Sequence, residues 1–171
     1  MKKTHVLVFV GILIATEIVL TRYCAIQTDI VRIGFGFIPI VLSAMLFGPV
    51  IGGTTAMLAD ILGMMIFPRG AYFPGFTFSA LVGGVIYGLV LYNKPKTVLR
   101  IFLAVLLVTV IRDLGLNTLW LSILSHKAVN IIMVPRILKS LFMLVVQVLI
   151  IPVVWRRVGA VIESNFLRSI T

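Results

Sequence analysis

The sequence is poor in the residues that soluble chemistry draws on. Acidic residues number five and histidines two in 171 residues, and there is one cysteine, Cys24. A single cysteine excludes an internal disulfide and any zinc site built from several thiolates. His5 and His126 stand apart, with no HExxH, and no GxxxxGK[ST] occurs, so neither a zinc protease nor ATP hydrolysis through a P-loop is encoded. Ser122 and His126 share a helical face but lack an orienting acid and an oxyanion hole, which removes the one nucleophile worth weighing. No catalytic residue, metal or cofactor is expected. No polar stretch is long enough to fold as a separate soluble unit, so residues 1–171 are expected to form one integral membrane domain.

What the chain has in excess is apolar surface and positive charge. Hydrophobic residues make up 61% and charged ones 12%, with a mean hydropathy of +1.20. Such a chain belongs in a bilayer. Lys and Arg total 15, for a net charge of +10. These cations gather at the ends of apolar runs, where they meet lipid headgroups and set topology. No basic face interleaved with aromatics exists, so nucleic acid is not an expected partner. The opening "MKKTHVLVFVGILIATEIVL" has the basic and apolar parts of a signal peptide without a small-x-small cleavage site, and arginine breaks the lipobox in "LTRYC". It reads as a retained first span.

A helix rises about 1.5 Å per residue, so a hydrocarbon core of about 30 Å needs roughly twenty residues. On that ruler His5 to Arg22 is span one. The run from Ile33 to Phe67 is long for one span and is broken by Gly48-Pro49, which divides it into two short spans joined by a tight turn. Ala71 to Tyr92 makes span four, Val98 to Ser125 span five, and Ile137 to Trp155 span six, with Pro135 near its first turn. The apolar stretch Ala128 to Val134 leaves the start of span six open. The expected architecture is all-α, a compact bundle of six transmembrane helices in the cell membrane.

Six spans put both termini on one side. With the termini cytoplasmic, the inside holds Lys2, Lys3, Lys94, Lys96, Arg100, Arg156, Arg157 and Arg168, and the outside Arg22, Arg32, Arg69, Lys127, Arg136 and Lys139. The bias favours this orientation. So many cations on the translocated side also suit a second role, binding an anion.

Depth along each span sorts the polar residues. From the inside, Glu17 lies about 18 Å along span one, Asp60 about 15 Å along span three and Arg112 about 21 Å along span five. Asn117 and Trp120 lie further out, Arg136 and Lys139 occupy the outer end of span six, and Gln147 lies about 15 Å below Ile137. Polar groups therefore collect from the midplane outward, as in a cavity open outside and closed below. A continuous channel needs polar lining at both ends.

Within "LLVTVIRDLGLNTLW", Asp113, Asn117 and Trp120 are four and three apart and share a face, while Arg112 turns about 100° away. Adjacent Arg112 and Asp113 are expected to point to different places. Glu17 and Asp60 are the candidate partners of Arg112, and the face with amide, carboxylate and indole is the candidate ligand wall. A purely structural ion pair is the alternative. The segment "FPRGAYFPGFTFSA" is turn-rich yet carries Tyr72, Phe73, Phe76 and Phe78, suited to covering a flat ring or to an interfacial aromatic belt. "RIGFGF" enters span two similarly, and its lone GxG is no phosphate loop. Small residues four apart, Gly11 and Ala15, Gly52 and Ala56, and Ala80, Gly84 and Gly88, allow close helix approach. The last two rows suit packing inside the bundle, and the first, on a terminal helix, equally suits a partner subunit.

Taken together, "RIGFGFIPIVLSAMLFGP", "ADILGMMIFPRGAYFPGFTFSA", "LGLNTLWLSIL" and "VPRILKS" resemble the folate-specific S components of energy-coupling-factor vitamin transporters, over nearly the whole chain. The resemblance implies a six-helix bundle that captures folate from outside and works with a transmembrane coupling subunit and two ATPase subunits. It also places docking on Gly11 and Ala15, with glycine where alanine is typical. On this reading Asp60 and Asn117 pair with the pterin, Trp120, Phe73 or Phe76 stack on it, Tyr72 belongs to the covering loop, and Arg22, Arg136 or Lys139 hold the glutamate tail. An S component for another vitamin and a small oligomeric channel remain the rival readings.

Overall fold

The computed structural model describes residues 3–27, 32–68, 72–126, 128–159 and 161–162. Helix α1 is Lys3–Arg22, α2 Phe37–Phe47, α3 Pro49–Ile66, α4 Pro74–Leu91, α5 Val98–Leu107, α6 Asn117–Ser125 and α7 Val129–Val154. A π-helical segment, Val108–Leu116, joins α5 to α6 without a break, and a short one, Trp155–Gly159, continues α7. The described residues thus make six rods, as the apolar runs predict. Among these residues four helices are long and apolar enough to cross a membrane, and α2 is shorter. Strands β1 (Ile26–Gln27) and β2 (Arg32–Ile33) pair antiparallel beyond α1.

The breaks follow local chemistry. Gly48 turns the chain between α2 and α3 at φ 91°, and a Cβ there would press on the Tyr92 ring at 3.3 Å. Pro49 and Pro74 open α3 and α4, where a missing N–H costs nothing. Span four starts at Pro74, its expected first residue Ala71 lying outside the described residues. Span six corrects the expected boundary. The helix begins at Val129, so Pro135 lies inside it, not in its first turn. The apolar stretch before Pro135 had lipid-facing sides to cover, and it coils rather than loops. Of the cations assigned to topology, Lys2, Arg69, Lys127 and Arg168 lie outside the described residues, as do the side chains of Lys3 and Arg32.

Two ends can be distinguished. The turn end carries the α2–α3 and α4–α5 turns; the loop end carries the α3–α4 and α6–α7 connections. Towards the turn end the core is dry and tight: Leu91, Ile101, Ala104 and Val105 are fully buried. Glycines let α3 and α4 touch there, Gly84 against the Gly52 backbone and Gly88 against Pro49. The rows Gly52–Ala56 and Gly84–Gly88 are therefore internal packing seams. Gly11 and Ala15 differ, being exposed, with nothing within 4 Å of a Cβ at Gly11.

Candidate functional site

Three polar clusters meet towards the loop end. The first joins α3 to the loop before α4. Thr77 Oγ1 donates to Asp60 Oδ2 at 2.8 Å and shares a hydrogen bond with the Tyr72 hydroxyl at 3.1 Å. Asp60 and Tyr72 are thereby brought together through a threonine that the sequence reading passed over.

The second cluster is aromatic. Phe73 packs against Phe76 at 6.1 Å and against Trp120 at 5.7 Å between ring centroids. Gly75 is the floor that admits the indole, since a Cβ there would come within 2.6 Å of it. The Trp120 indole N–H donates to Ser79 Oγ at 3.0 Å. A half-buried tryptophan in apolar surroundings needs such an acceptor. Thr77 and Ser79 are two residues apart, so one helix presents hydroxyls to two neighbours, α3 and α6.

The third cluster centres on Asp113, which is buried. Its Oδ1 accepts from Arg112 Nε at 3.1 Å and from Asn117 Nδ2 at 3.4 Å, and Lys139 Nζ lies 3.9 Å from Oδ2. Arg136 Nη2 donates to the Asp113 backbone carbonyl at 2.7 Å. This overturns the expectation that Arg112 and Asp113 point apart. The long Arg112 side chain curls back around the rod to reach the carboxylate of its neighbour. Arg112 also lies flat against Gly83 of α4. Glu17 acts on Arg112 through its charge, but Asp113 is the direct hydrogen-bond partner, and Asp60 is engaged by Thr77. The Asn117 amide oxygen is buried with no hydrogen-bond partner among the described residues.

Arg22 is buried at the end of α1 with its guanidinium against Gly63 of α3. Gly63 is three residues beyond Asp60, one helical step on the same side. No group of His, Cys, Asp and Glu among the described residues is arranged to hold a metal ion. Sequence reasoning missed Thr77 and Ser79, whose hydroxyls link α4 to α3 and α6, and Thr118, whose hydroxyl bonds the Asp113 carbonyl of its own rod. In an apolar run, small hydroxyl residues on helices usually bond their own backbone, and only the partner helix reveals otherwise.

Comparison with known proteins agrees with this architecture. Residues 5–155 match the family model described as "ECF transporter, substrate-specific component". The chain is 50% identical over 158 residues to the folate transporter FolT of Clostridium novyi (strain NT), covering 92% of each. It is 34% identical over 151 residues to the folate transporter FolT of Leuconostoc mesenteroides, covering 85% of this chain and 81% of that one. A crystal structure of FolT bound with folic acid superposes with a TM-score of 0.79 at 41% identity, over 84% of this chain and 86% of that one. With the family model spanning well over half its length and its helices apolar enough to cross a bilayer repeatedly, this chain belongs to the multi-pass membrane family of substrate-specific components of ECF transporters.

Proposed function

We propose that the chain captures folate at its loop end, facing outward, and delivers it through a separate transmembrane coupling subunit driven by two ATPase subunits. The observation that carries this reading is the buried, unpartnered Asn117 amide oxygen one helical turn from the Trp120 indole. A pterin fits that pairing: it is flat enough to stack on Trp120, Phe73 and Phe76, and its edge alternates donors with acceptors. Asn117 Oδ1 accepts from the pterin edge, and Asp60, already held by Thr77, accepts a second hydrogen bond from it. Tyr72 sits on the segment that covers the ring. Burying such an edge unpaired costs about 1–3 kcal/mol per group, so the same atoms that attract a pterin reject a plain aromatic.

The tail of folate is a dicarboxylate. Arg22, Arg136 and Lys139 supply cations around the loop end, and Lys139, at 3.9 Å from Asp113, is the least committed of the contacts that Asp113 makes. An arriving carboxylate takes it over without leaving Asp113 bare, because Arg112 and Asn117 remain. Both termini lie on the cytoplasmic side in this reading. Lys94, Lys96, Arg156 and Arg157 all stand at the turn end, and Lys96 lies 4.7 Å over the Trp155 ring in an interfacial anchor of indole and cation. Gly11 and Ala15, open on the outside of α1, form the docking face for the coupling subunit.

Uptake of labelled folate by cells carrying this chain with and without the ATPase module tests the reading. Uptake is expected only with both, and Gly11→Leu with Ala15→Leu abolishes it while purified protein still binds folate. Binding of riboflavin or thiamine in preference to folate, or ion conductance without any ligand, would favour the rival vitamin carrier or channel instead.

A further inference from the structure

The Asp113 carbonyl has an unusual set of partners. At the end of the π segment the backbone N–H of Asn117 bonds back to Arg112 O, five residues away. From Asn117 onward the rod is α-helical. Where bonding to the fifth residue gives way to bonding to the fourth, donors step back by one, and one carbonyl is passed over. The next carbonyl along is that of Asp113, and it takes two side-chain donors: Thr118 Oγ1 at 3.2 Å and Arg136 Nη2 at 2.7 Å. In an apolar interior a backbone carbonyl needs such partners.

We propose that Thr118 and Arg136 are positioning residues that hold the π-to-α handover at Asp113 and thereby set the direction in which Asn117 and Trp120 face. Thr118 is 1% exposed, and its hydroxyl is given to the Asp113 carbonyl. Arg136 reaches across from α7, so the register of the α5–α6 rod is fixed by a different helix. Without these two donors the carbonyl regains a partner only if the rod rewinds towards α-helical bonding. Rewinding removes the extra residue per turn and rotates everything beyond Asp113 relative to α4. Trp120 then leaves Ser79. Arg136 then serves the wall as well as adding to the cations of the loop end, and a spectrum recorded without ligand separates the first role from the second. The inference rests on the folate-binding reading for its affinity readout, but not for its spectroscopic one.

Trp120 and Trp155 are the only tryptophans, so a Trp155→Phe background leaves Trp120 as the sole reporter. In that background Thr118→Val keeps the shape and removes the hydroxyl, Thr118→Ser keeps the hydroxyl, and Arg136→Gln and Arg136→Lys do the same for the cation. Ligand-free emission spectra, folate titrations and circular dichroism are recorded for each. The expected result is a shifted Trp120 emission without ligand in Thr118→Val and Arg136→Gln, with helicity unchanged. Folate affinity falls about tenfold in Thr118→Val, and Thr118→Ser restores both signals to within about twofold. Unchanged Trp120 emission in both Thr118→Val and Arg136→Gln overturns the inference, whether or not affinity falls. If Thr118→Val does not fold, the Arg136 pair decides by the same spectrum. If the unmodified protein binds no folate, the folate reading fails while the emission shift still decides the positioning role.

Discussion

The two ends of the bundle solve opposite problems. Towards the turn end, Leu91, Ile101, Ala104 and Val105 pack without exposure, and glycines draw α3 onto α4. Towards the loop end, Asp60, Thr77, Ser79, Asp113, Asn117 and Trp120 link α3, α4 and the α5–α6 rod through hydrogen bonds. The first region is held chiefly by close apolar packing. The second keeps polar groups in an apolar setting, and the buried Asn117 amide oxygen there has no hydrogen-bond partner among the described residues. A packed floor beneath a wall with an unfilled acceptor suits the one-sided capture proposed above.

Asp113→Ala breaks the contrast most severely. It strands Arg112 and Lys139 without their carboxylate, and an orphaned buried charge costs about 3–5 kcal/mol. Thermal unfolding in detergent should show that loss even without ligand. Leu91→Ala sits at the other end, where a cavity costs about 2–5 kcal/mol. Its melting temperature should fall while folate affinity stays within about twofold, and a large affinity loss would erase the distinction between the ends. Asn117→Ala with Trp120→Ala should do the reverse, lowering affinity by roughly a hundredfold with a smaller effect on unfolding. Thr77→Val is subtler. It releases Asp60 from its 2.8 Å donor, and the expected change in folate affinity is about three- to tenfold. Tyr72→Phe is the smallest, because Tyr72 is 50% exposed and its hydroxyl has water as an alternative; an affinity change under about threefold is expected.

The bundle was legible in the sequence because apolar length and Gly-Pro breaks are local signals. The Gly48-Pro49 turn and the residue limits of the fifth span fall where the sequence places them. The start of α7 was not, since Ala128 to Val134 is apolar whether it coils or loops, and Pro135 reads as a first-turn residue although a helix tolerates it deeper when neighbours re-satisfy the backbone. Within the site, Trp120 beside Phe73 and Asn117 beside Asp113 follow from spacing and from aromatics near prolines. The Arg112–Asp113 pair did not, because the direction in which a side chain leaves the rod does not fix where a long arginine ends, and nothing in "VTVIRDLGL" announces π-winding. That winding depends on a carbonyl partner from α7, a long-range contact that a local pattern does not carry.

The most direct measurement is calorimetric titration of the purified, ligand-free protein with folic acid, run beside the Asn117→Ala, Trp120→Ala double variant. Saturable binding near one to one, lost in the variant while its helicity and melting remain, is the expected result. Absence of heat and of tryptophan quenching from a folded wild-type protein, or undiminished binding by the double variant, would contradict capture of folate at the loop end.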